Sequence, residues 1–340
     1  MRQLFRLLLI LGISSPLALQ AQSCVGTATF NVTINPAPTA SISNGSSVQY
    51  CTGGGVYLTA VQGTGYTYQW RLNGNPISGA TSWSYLAMVA GTYSVQVTNA
   101  SGCAIVSTNT TVAATAPVCG TIVKARLFLE GPFNSGTSLM NTTLRSASLL
   151  PRLQPFDIAP WNYSGAETVP QQSDIPTNAV DWVLLELRDN ANALIASRAG
   201  FLLNDGTLRD IDGTAGFRFA NTPSGNYNII VRSRNHLAVM SATAVSLPNA
   251  ANYDFSVASN VLGGVAQLKS LNASINGLKA GDINANGVIT VADFNVFQPQ
   301  TASINQYLSG DFDMNASVLV QDFNLFQSNA SAIAVSQVRY

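Results

Sequence analysis

Two near copies of one short segment, set 29 residues apart near the end of the chain, constrain its fold more than any other feature. The first copy is GDINANGVITVADFNVFQ from Gly281, and the second is GDFDMNASVLVQDFNLFQ from Gly310. Only 9% of the 340 residues are charged, yet both copies place oxygen-bearing side chains at the same spacing. Apolar residues then recur every third position, as on one face of a short helix: Val291, Phe294 and Phe297, then Val320, Phe323 and Phe326.

The spacing within each copy is that of a calcium-binding loop, in which a twelve-residue turn wraps oxygen atoms around a hard cation. Side chains contribute from the odd-numbered early positions and from position 12, and a backbone carbonyl contributes from position 7. The sequence therefore predicts two Ca²⁺ sites. Their predicted ligands are Asp282, Asn284, Asn286, Val288, Thr290 and Asp293 in the first loop, and Asp311, Asp313, Asn315, Ser317 and Asp322 in the second.

Position 6 distinguishes the two loops. The sharp turn there favours a positive φ angle, which glycine adopts without steric cost. Gly287 occupies this position in the first loop, whereas Ala316 occupies it in the second. If the second turn is left-handed, the alanine costs on the order of 1 kcal/mol. We therefore expect the second site to bind Ca²⁺ more weakly despite its additional carboxylate.

The paired loop-helix units resemble a dockerin, a duplicated calcium-dependent module that attaches polysaccharide-degrading enzymes to cohesin-bearing scaffolds. The resemblance covers residues 281–329 and implies a cohesin-like partner. Many dockerins carry hydroxyl residues at loop positions 10 and 11, where this chain has Val291-Ala292 and Val320-Gln321. Two roles stay open for the module: docking to a scaffold, or a calcium-stiffened cap on a neighbouring domain.

The N-terminus predicts export. Arg2 and Arg6 precede an apolar run at residues 7–13, and a boundary of small residues follows near Ala21, as in a secretory signal peptide at residues 1–21. That run is too short to cross a bilayer, and no later stretch reaches the length of a spanning helix. We therefore expect a protein that is secreted or held at the outer cell surface. The chain has four cysteines, Cys24, Cys51, Cys103 and Cys119. An even number suits disulfide formation in an exported protein, and four cysteines allow three pairings.

Residues 37–117 contain short alternating runs separated by Gly, Asn and Ser, as in antiparallel strands. Asn73-Gly74 predicts a tight hairpin. The segments YCTGGGVYLTA, YTYQWRLNG, ISGAT and GTYSVQVTNASGC together resemble the immunoglobulin-like modules of secreted Bacteroidetes proteins. The resemblance implies a β-sandwich with Trp70 in its core.

The same resemblance implies a disulfide between Cys51 and Cys103. Residues 22–36 look like the last strand of a preceding immunoglobulin-like repeat, because CVGTATFNVTINPAP matches CAIVSTNTTVAATAP in the register of Cys, Thr and Pro. Cys24 then lacks its usual partner, which leaves Cys24–Cys119 as the second pair to consider.

Residues 120–259 have longer strands and connections rich in proline and aromatic residues. In DWVLLELRD, one face of the predicted strand carries Val183, Leu185 and Leu187, and the other face carries Leu184, Glu186 and Arg188. The order of segments is similar to the small sandwich domains of collagen-adhesin B and carboxypeptidase-regulatory type. The strings ARLFLEG, PWNYSGAE, DWVLLELRD and VRSRNHLAVMSA resemble a Bacteroidetes family labelled hemagglutinin, which implies adhesion.

The predicted fold class is therefore mainly β, with tandem antiparallel β-sandwiches followed by a small α-helical dockerin-like module at residues 260–330 and a tail at residues 331–340. Within the central region, the loop QPFDIAPWNYSGAE concentrates three aromatic rings: Phe156, Trp161 and Tyr163. Sugars stack on flat aromatic faces, so an exposed cluster would form a carbohydrate platform. The alternative is that the rings fold back over an open edge of the sandwich.

Composition argues against other function classes. The net charge is zero without a long basic run, which disfavours nucleic acid as a partner. The single histidine, His236, has no nucleophile beside it and is interpreted as structural. Carboxyl candidates for glycoside hydrolysis do exist: Glu130, Asp157, Glu167, Asp181 and Glu186. We expect a non-catalytic adhesion or carbohydrate-binding protein, with an accessory role in polysaccharide degradation or a cryptic glycoside hydrolase as alternatives.

Overall fold

The computed structural model describes residues 36–51, 54–115, 120–330 and 334–338. The predicted signal peptide and the predicted Cys24–Cys119 pair lie outside these residues, as does the remnant strand apart from Pro36. The side chain of Cys51 also lies outside them, so the Cys51–Cys103 disulfide stays a prediction. Within the described residues, no helix is both long enough and apolar enough to cross a membrane.

Eight strands form a β-sandwich in the N-terminal part of the described chain. They are β1 (Ser47–Cys51), β2 (Val56–Thr59), β3 (Thr67–Leu72), β4 (Asn75–Pro76), β5 (Ser84–Ala87), β6 (Gly91–Thr98), β7 (Ala104–Val106) and β8 (Thr110–Thr115). One sheet has the order β1-β8-β6-β3-β4, with β1 parallel to β8, and the facing sheet pairs β2 with β5. This arrangement is that of an immunoglobulin-like sandwich.

The core of this sandwich has the residues that such a fold requires. Trp70 on β3 is fully buried, as predicted. Tyr93 near the start of β6 donates its hydroxyl to the carbonyl of Val89 at 2.9 Å, which forms a tyrosine corner. The predicted hairpin is also confirmed, because Asn73 and Gly74 have φ angles of 50° and 82° between β3 and β4.

The central region is built on one long antiparallel sheet with the order β15-β14-β13-β17-β18. Its elements are β9 (Thr121–Val123), β10 (Ala125–Arg126), β11 (Phe133–Asn134), β12 (Leu139–Met140), α1 (Thr143–Ser146), β13 (Ala179–Arg188), β14 (Leu194–Leu203), β15 (Leu208–Arg209), β16 (Phe217–Phe219), β17 (Gly225–Arg232), β18 (Val239–Met240), β19 (Val245–Leu247) and β20 (Tyr253–Asp254). Every residue of β13 is buried. Glu186 and Arg188 do share a face, but they form a buried pair rather than a solvated one.

The duplicated segments form two loops, each followed by a helix. After β21 (Leu268–Ser270) and β22 (Asn276–Leu278) come α2 (Val291–Phe297) and α3 (Val320–Ala330). We call residues 281–330 the loop-helix pair. Phe297 and Phe326 are buried, whereas Val291 and Val320 are 71% and 64% exposed. The prediction that both valines share the apolar helix face is therefore wrong, because each one begins its helix and points to solvent.

The prediction of a mainly β chain made of several sheets is confirmed. Three groups of buried apolar residues lie in the sandwich, the central region and the loop-helix pair, and a fourth, smaller group joins β17 and β18 to Val338. The largest group also includes Met314 and Ala316 of the second loop. The loop-helix pair is thus packed into the central region, and this contact positions the candidate sites.

Candidate calcium loops and an adjoining aromatic groove

The two loops have the same backbone conformation. Gly287 and Ala316, both at position 6, have φ angles of 83° and 71°. Ala285 and Met314, both at position 4, have φ angles of 52° and 55°. Three of these four residues carry a Cβ atom that disfavours the left-handed region, so the repeated turn has a steric cost that the loops must offset.

In the first loop, two buried aspartates close the turn. Asp293 accepts hydrogen bonds from the backbone N–H groups of Ile283 and Thr290, at 3.0 and 2.8 Å, and also caps α2. Asp282 accepts one from the N–H of Gly287 at 3.1 Å. The remaining oxygen of Asp282, Oδ1, is buried and has no hydrogen-bond partner within the described chain.

The second loop repeats these contacts residue for residue. Asp322 accepts from the N–H groups of Phe312 and Leu319, at 2.7 and 2.9 Å. Asp311 accepts from the N–H of Ala316 at 3.0 Å. Oxygen atoms of three carboxylates, from Asp311, Asp313 and Asp322, lie within 4.8 Å of one another. The three carboxylates of the second predicted ligand set are therefore brought together, and this set is richer in charge than the first.

Burial and mutual repulsion make these carboxylates reluctant to ionise. Burial, aided by the nearby charge of Asp293, raises the pKa of Asp282 to about 7. Burial and the charge of Asp322 likewise raise the pKa of Asp311, and the same two causes raise the pKa of Asp313. A bound dication would relieve both penalties.

The donor set fits a hard cation. Apart from Val288, which would contribute its backbone carbonyl, the residues at the predicted ligand positions have side chains with carboxylate, carboxamide or hydroxyl oxygens, without sulfur or imidazole. Oδ1 of Asp282 and Oδ1 of Asn315 are buried without a partner in the described chain. Orphaned buried oxygens are rare unless a ligand or water satisfies them. The residues present therefore match Ca²⁺.

Asn235, which sequence reasoning missed, joins both loops to the central region. It is fully buried, and its Nδ2 donates to the carbonyls of Ser309 and Asp311 at 3.1 and 2.9 Å. Its own carbonyl accepts from the N–H of Gly281 at 2.9 Å. Asn235 thus contacts Gly281, the first residue of the first duplicated segment, and Asp311, the first predicted ligand of the second. The string SRNH gave no usable signal, since its polar residues are equally typical of an exposed turn.

Arg234 provides a second connection. Its guanidinium lies 4.3 Å from the ring centroid of Tyr307 and donates to Asp181 at 2.6 Å and to the carbonyl of Leu308. The hydroxyl of Tyr307 donates to the same carboxylate at 2.7 Å. A buried guanidinium is tolerated only when it is paired in this way.

The chain after α3 also contacts the first loop. Val335 pairs with Val288, and the N–H of Ser336 donates to the carbonyl of Gly287 at 2.7 Å. The hydroxyl of Ser336 reaches the carbonyl of Ala238 at 2.7 Å. Residues 334–338, part of the predicted tail, therefore cover one edge of this loop.

The aromatic loop divides into a buried part and a part that borders open space. Phe156 is fully buried, as the fold-back alternative expects. Trp161 is half-buried and packs edge-on against Phe156, with ring centroids 5.3 Å apart. Tyr163 is also half-buried and donates its hydroxyl to Glu167 at 2.6 Å. The three rings therefore do not form one exposed platform.

Trp161 nevertheless borders three adjoining depressions on the surface. The one that matters here, which we call the Trp161 groove, has a volume of about 370 Å³. Its residues come from the aromatic loop, the central sheet and the first of the two duplicated loops. Six of them define its chemistry: Trp161, Glu186, Arg188, Leu194, Arg232 and Asn286.

The remaining predicted acid-base residues are engaged in structural contacts. Glu186 accepts from Arg188 at 2.8 Å and also from Arg232. His236 is 2% exposed, and burial together with the charge of Arg234 lowers its pKa to about 3, as suits a neutral structural histidine. Asp157 is exposed. The other candidate carboxylates have hydrogen-bond or ion-pair partners: Glu130 with Asn329 and Lys269, Glu167 with Tyr163 and Arg198, and Asp181 with Arg234 and Tyr307.

No protein family and no curated protein matches the chain. Similar solved structures include Sidekick-1 immunoglobulin domains 1–5, with 13% identity and a TM-score of 0.19 over 59% of this chain and 35% of that one. Fibronectin(III)-like modules of Clostridium thermocellum CbhA match with 11% identity and a TM-score of 0.19 over 62% of this chain and 90% of that one. Extracellular domains 3–5 of Drosophila OTK match with 14% identity and a TM-score of 0.19 over 62% of this chain and 64% of that one. These TM-scores support no functional conclusion.

Proposed function

We propose that this protein binds two Ca²⁺ ions, and that the ions fix the loop-helix pair onto the central region. The observation that carries the proposal is the cluster of Asp311, Asp313 and Asp322, whose oxygens lie within 4.8 Å of one another. Carboxylates at this spacing repel each other, and a hard dication converts the repulsion into attraction. The matching contacts of Asp282 and Asp293 support a second site of lower charge.

Calcium would supply the positive charge that holds the acceptor oxygens of each loop around one point. The chain's own residues close the loops and connect them to the central region. Asp293 and Asp322 tie the end of each loop to its beginning through backbone N–H groups. Asn235 transmits this order to the central region, because it holds Gly281 and Asp311 at once.

Calcium titration of the exported chain by calorimetry, with thermal melts in calcium and in EGTA, tests this proposal. We expect two binding events and a clear gain in thermal stability, since a ligand that binds only the folded state stabilises it. Asp313→Asn should weaken one event by at least tenfold. Its matched control is Asp205→Asn, at an exposed turn aspartate far along the chain, which should leave both events unchanged. Absence of heat and of any calcium-dependent stability would refute the proposal.

We further propose that the protein is a secreted or cell-surface, non-catalytic adhesion protein that binds carbohydrate at Trp161. This second function is supported by the position of Trp161 beside three adjoining depressions. Binding of mature protein to a glycan array tests it, with Trp161→Ala as the variant. Binding that is unchanged in Trp161→Ala would move recognition elsewhere.

Scaffold docking, with an accessory role in polysaccharide degradation, is the alternative for the loop-helix pair. The contacts of Asn141, Arg234 and Asn235 with this pair favour the cap role instead. Val291 and Val320 remain exposed at loop position 10 and would carry any cohesin contact. The double variant Val291→Asp/Val320→Asp separates the two roles, because it would abolish cohesin capture while leaving thermal stability nearly unchanged.

A glycoside hydrolase in the central region is the weakest of the candidate functions. Retaining and inverting hydrolysis both need two carboxyl groups that face one sugar. Among the described residues that line the three depressions, the carboxylates are Asp157 and Glu186, which line different ones. Glu186 is also neutralised by two guanidiniums, which suits a structural role better than proton transfer.

A further inference from the structure

We propose that a second depression beside Trp161, lined by Ile158 and Arg234, binds a saccharide that carries an N-acetyl group. The inference rests on the proposed carbohydrate function and specifies its ligand class. We call this depression the Ile158 cleft. It has a volume of about 720 Å³ and shares Pro160 and Trp161 with the Trp161 groove. Three features of the cleft point to this ligand: an apolar lining, a buried hydrogen-bond donor without a partner, and an exposed carboxylate.

The lining of the Ile158 cleft is mostly apolar. Ile158 of the aromatic loop and Val296 of α2 are 61% and 39% exposed there, and Pro155, Ile283 and Leu308 also line the cleft. An unmodified hexose presents hydroxyl groups around its ring, and apolar walls leave such groups without hydrogen-bond partners. The methyl of an N-acetyl group suits these walls, because its burial removes apolar surface from water.

Arg234 supplies the hydrogen-bond donor. Its side chain is buried, and its guanidinium is held in place by Asp181, by the carbonyl of Leu308 and by the ring of Tyr307. One nitrogen, Nη2, is buried and has no hydrogen-bond partner within the described part of the chain. Buried donors rarely stay unpaired unless a ligand or water satisfies them. Because Arg234 lines the cleft, the carbonyl oxygen of an N-acetyl group can accept from Nη2, directly or through one ordered water.

The charges of the cleft favour a neutral saccharide over an anionic one. Asp157 and Arg234 are the only charged side chains among the described residues that line it. Arg234 is paired with the carboxylate of Asp181 at 2.6 Å, whereas the side chain of Asp157 is exposed. A carboxylate accepts hydrogen bonds from N–H groups and repels other anions. The N–H of an N-acetyl group therefore has an acceptor in Asp157, while its carbonyl has a donor in Arg234.

Hydrogen bonds hold the walls of the cleft in place before a ligand binds. Nε2 of Gln300 donates to the carbonyl of Val296 at 3.0 Å and to the hydroxyl of Ser309 at 3.1 Å. In the aromatic loop, the N–H of Asn162 donates to the carbonyl of Ile158 at 3.0 Å. Walls that are already ordered lower the cost of ligand binding. The volume of the cleft also lies in the range of small-molecule sites, so it accommodates a disaccharide.

Three disaccharides with the same linkage test the inference: N,N′-diacetylchitobiose, cellobiose and the glucosamine dimer. They differ only in one substituent on each ring, which is an N-acetyl, a hydroxyl or an amino group. Calorimetric titration of the full chain should give an affinity about tenfold higher for N,N′-diacetylchitobiose than for cellobiose, because the methyl is buried and the carbonyl is hydrogen-bonded. The glucosamine dimer should bind more weakly than its acetylated form. Trp161→Ala should abolish binding of all three.

Two isoleucines provide a matched pair of variants that leaves the buried ion pairs intact. Ile158 and Ile304 are 61% and 60% exposed, but Ile304 lies outside the lining of all three depressions at Trp161. Ile158→Asp should lower the affinity for N,N′-diacetylchitobiose about fivefold, because a polar group replaces part of the apolar wall. Ile304→Asp should bind as the unmodified chain does. Thermal melts should show that both variants keep the fold. If Ile158→Asp also binds normally, the Ile158 cleft is not the binding site.

The outcomes separate the two proposals. Equal affinity for the three disaccharides, lost in Trp161→Ala, would overturn the N-acetyl preference and keep the carbohydrate function. Tighter binding of the glucosamine dimer than of its acetylated form would show that Asp157 attracts a cation, and it would overturn the N-acetyl preference as well. Binding of none of the three would overturn the inference, and a glycan array that also showed no binding would overturn the carbohydrate function.

Discussion

Replacing Asn235 with alanine should weaken both the fold and calcium binding. The substitution removes hydrogen bonds to the carbonyls of Ser309 and Asp311 and the 2.7 Å contact with Nδ1 of His236. Each such bond contributes about 0.5–1.5 kcal/mol net, so three of them amount to about 2–4 kcal/mol. For a chain of this size, the melting temperature should fall by about 3–6 °C.

The effect on calcium follows from linkage. Because Asn235 holds the first ligand residue of the second loop, its loss lets that loop sample open conformations before calcium binds. A loss of about 1 kcal/mol of preorganisation corresponds to roughly fivefold weaker binding at that site. Calorimetric titration with calcium measures this change directly, and thermal melts in calcium and EGTA measure the stability.

Asn249→Ala is the matched control for this variant. Asn249 also makes three hydrogen bonds, two from Nδ2 to the carbonyls of Lys124 and Ala251 and one at Oδ1 from the N–H of Lys124, all at 2.7–2.8 Å. It should lose comparable stability while binding calcium normally. If Asn235→Ala keeps both calcium affinities, or if the control loses them equally, then the proposed coupling between loops and central region is refuted.

Three further predictions concern single features. Ala316→Gly should stabilise the calcium-bound protein by about 1 kcal/mol and tighten calcium binding at the second loop, because Ala316 has a φ angle of 71°. Ala292→Gly, at the start of a right-handed helix, should instead destabilise the protein. Chemical denaturation measures both changes in stability. Burial raises the pKa values of Asp282 and Asp311, so between pH 4 and about 7 the calcium-free folded chain holds protons that the unfolded chain releases. The melting temperature of the calcium-free protein should therefore fall as pH rises through this range, and calcium should remove this dependence. A melting temperature in EGTA that is flat across this range would contradict the raised values. Tyr93→Phe should cost about 1 kcal/mol through loss of the tyrosine corner, and unchanged stability would remove that role.

The sequence predicted the features that depend on neighbours along the chain. The shared turn of the two loops is of this kind, because the hydrogen bonds that Asp293 and Asp322 accept all lie within twelve positions. That the loops bind Ca²⁺ stays a prediction. The left-handed turns at Gly287 and Ala316 follow from the same spacing. The hairpin at Asn73-Gly74 is equally local, since two residues with positive φ angles determine it.

Features that depend on distant residues could not be predicted in this way. Asn235 meets Ser309 and Asp311 across 74 and 76 positions, and Arg234 meets Leu308 across 74. In the sequence, these residues follow a strand in the string RSRNH, which is polar enough to indicate an exposed turn. Periodicity reports which residues share a face, but it does not report what covers that face.

The same limit explains the outcome for the aromatic loop. Phe156 and Trp161 are five positions apart, yet one is fully buried and the other borders a groove. Local composition does not report which ring the rest of the fold covers, so the sequence could offer the platform and the fold-back only as alternatives.

The end of β17 and the residues that follow it give these distant features a common origin. Arg232, the last residue of β17, lines the Trp161 groove, while Arg234 and Asn235, two and three positions later, hold the loop-helix pair. A change in the order of the loops would therefore reach the groove along one short, buried stretch of backbone. Asn235→Ala should weaken binding of glycans at Trp161 even in saturating calcium, because it disorders this stretch, whereas Asp205→Asn should not. If Asn235→Ala binds the same glycans as the unmodified chain in saturating calcium, the loops and the groove are not coupled through this stretch.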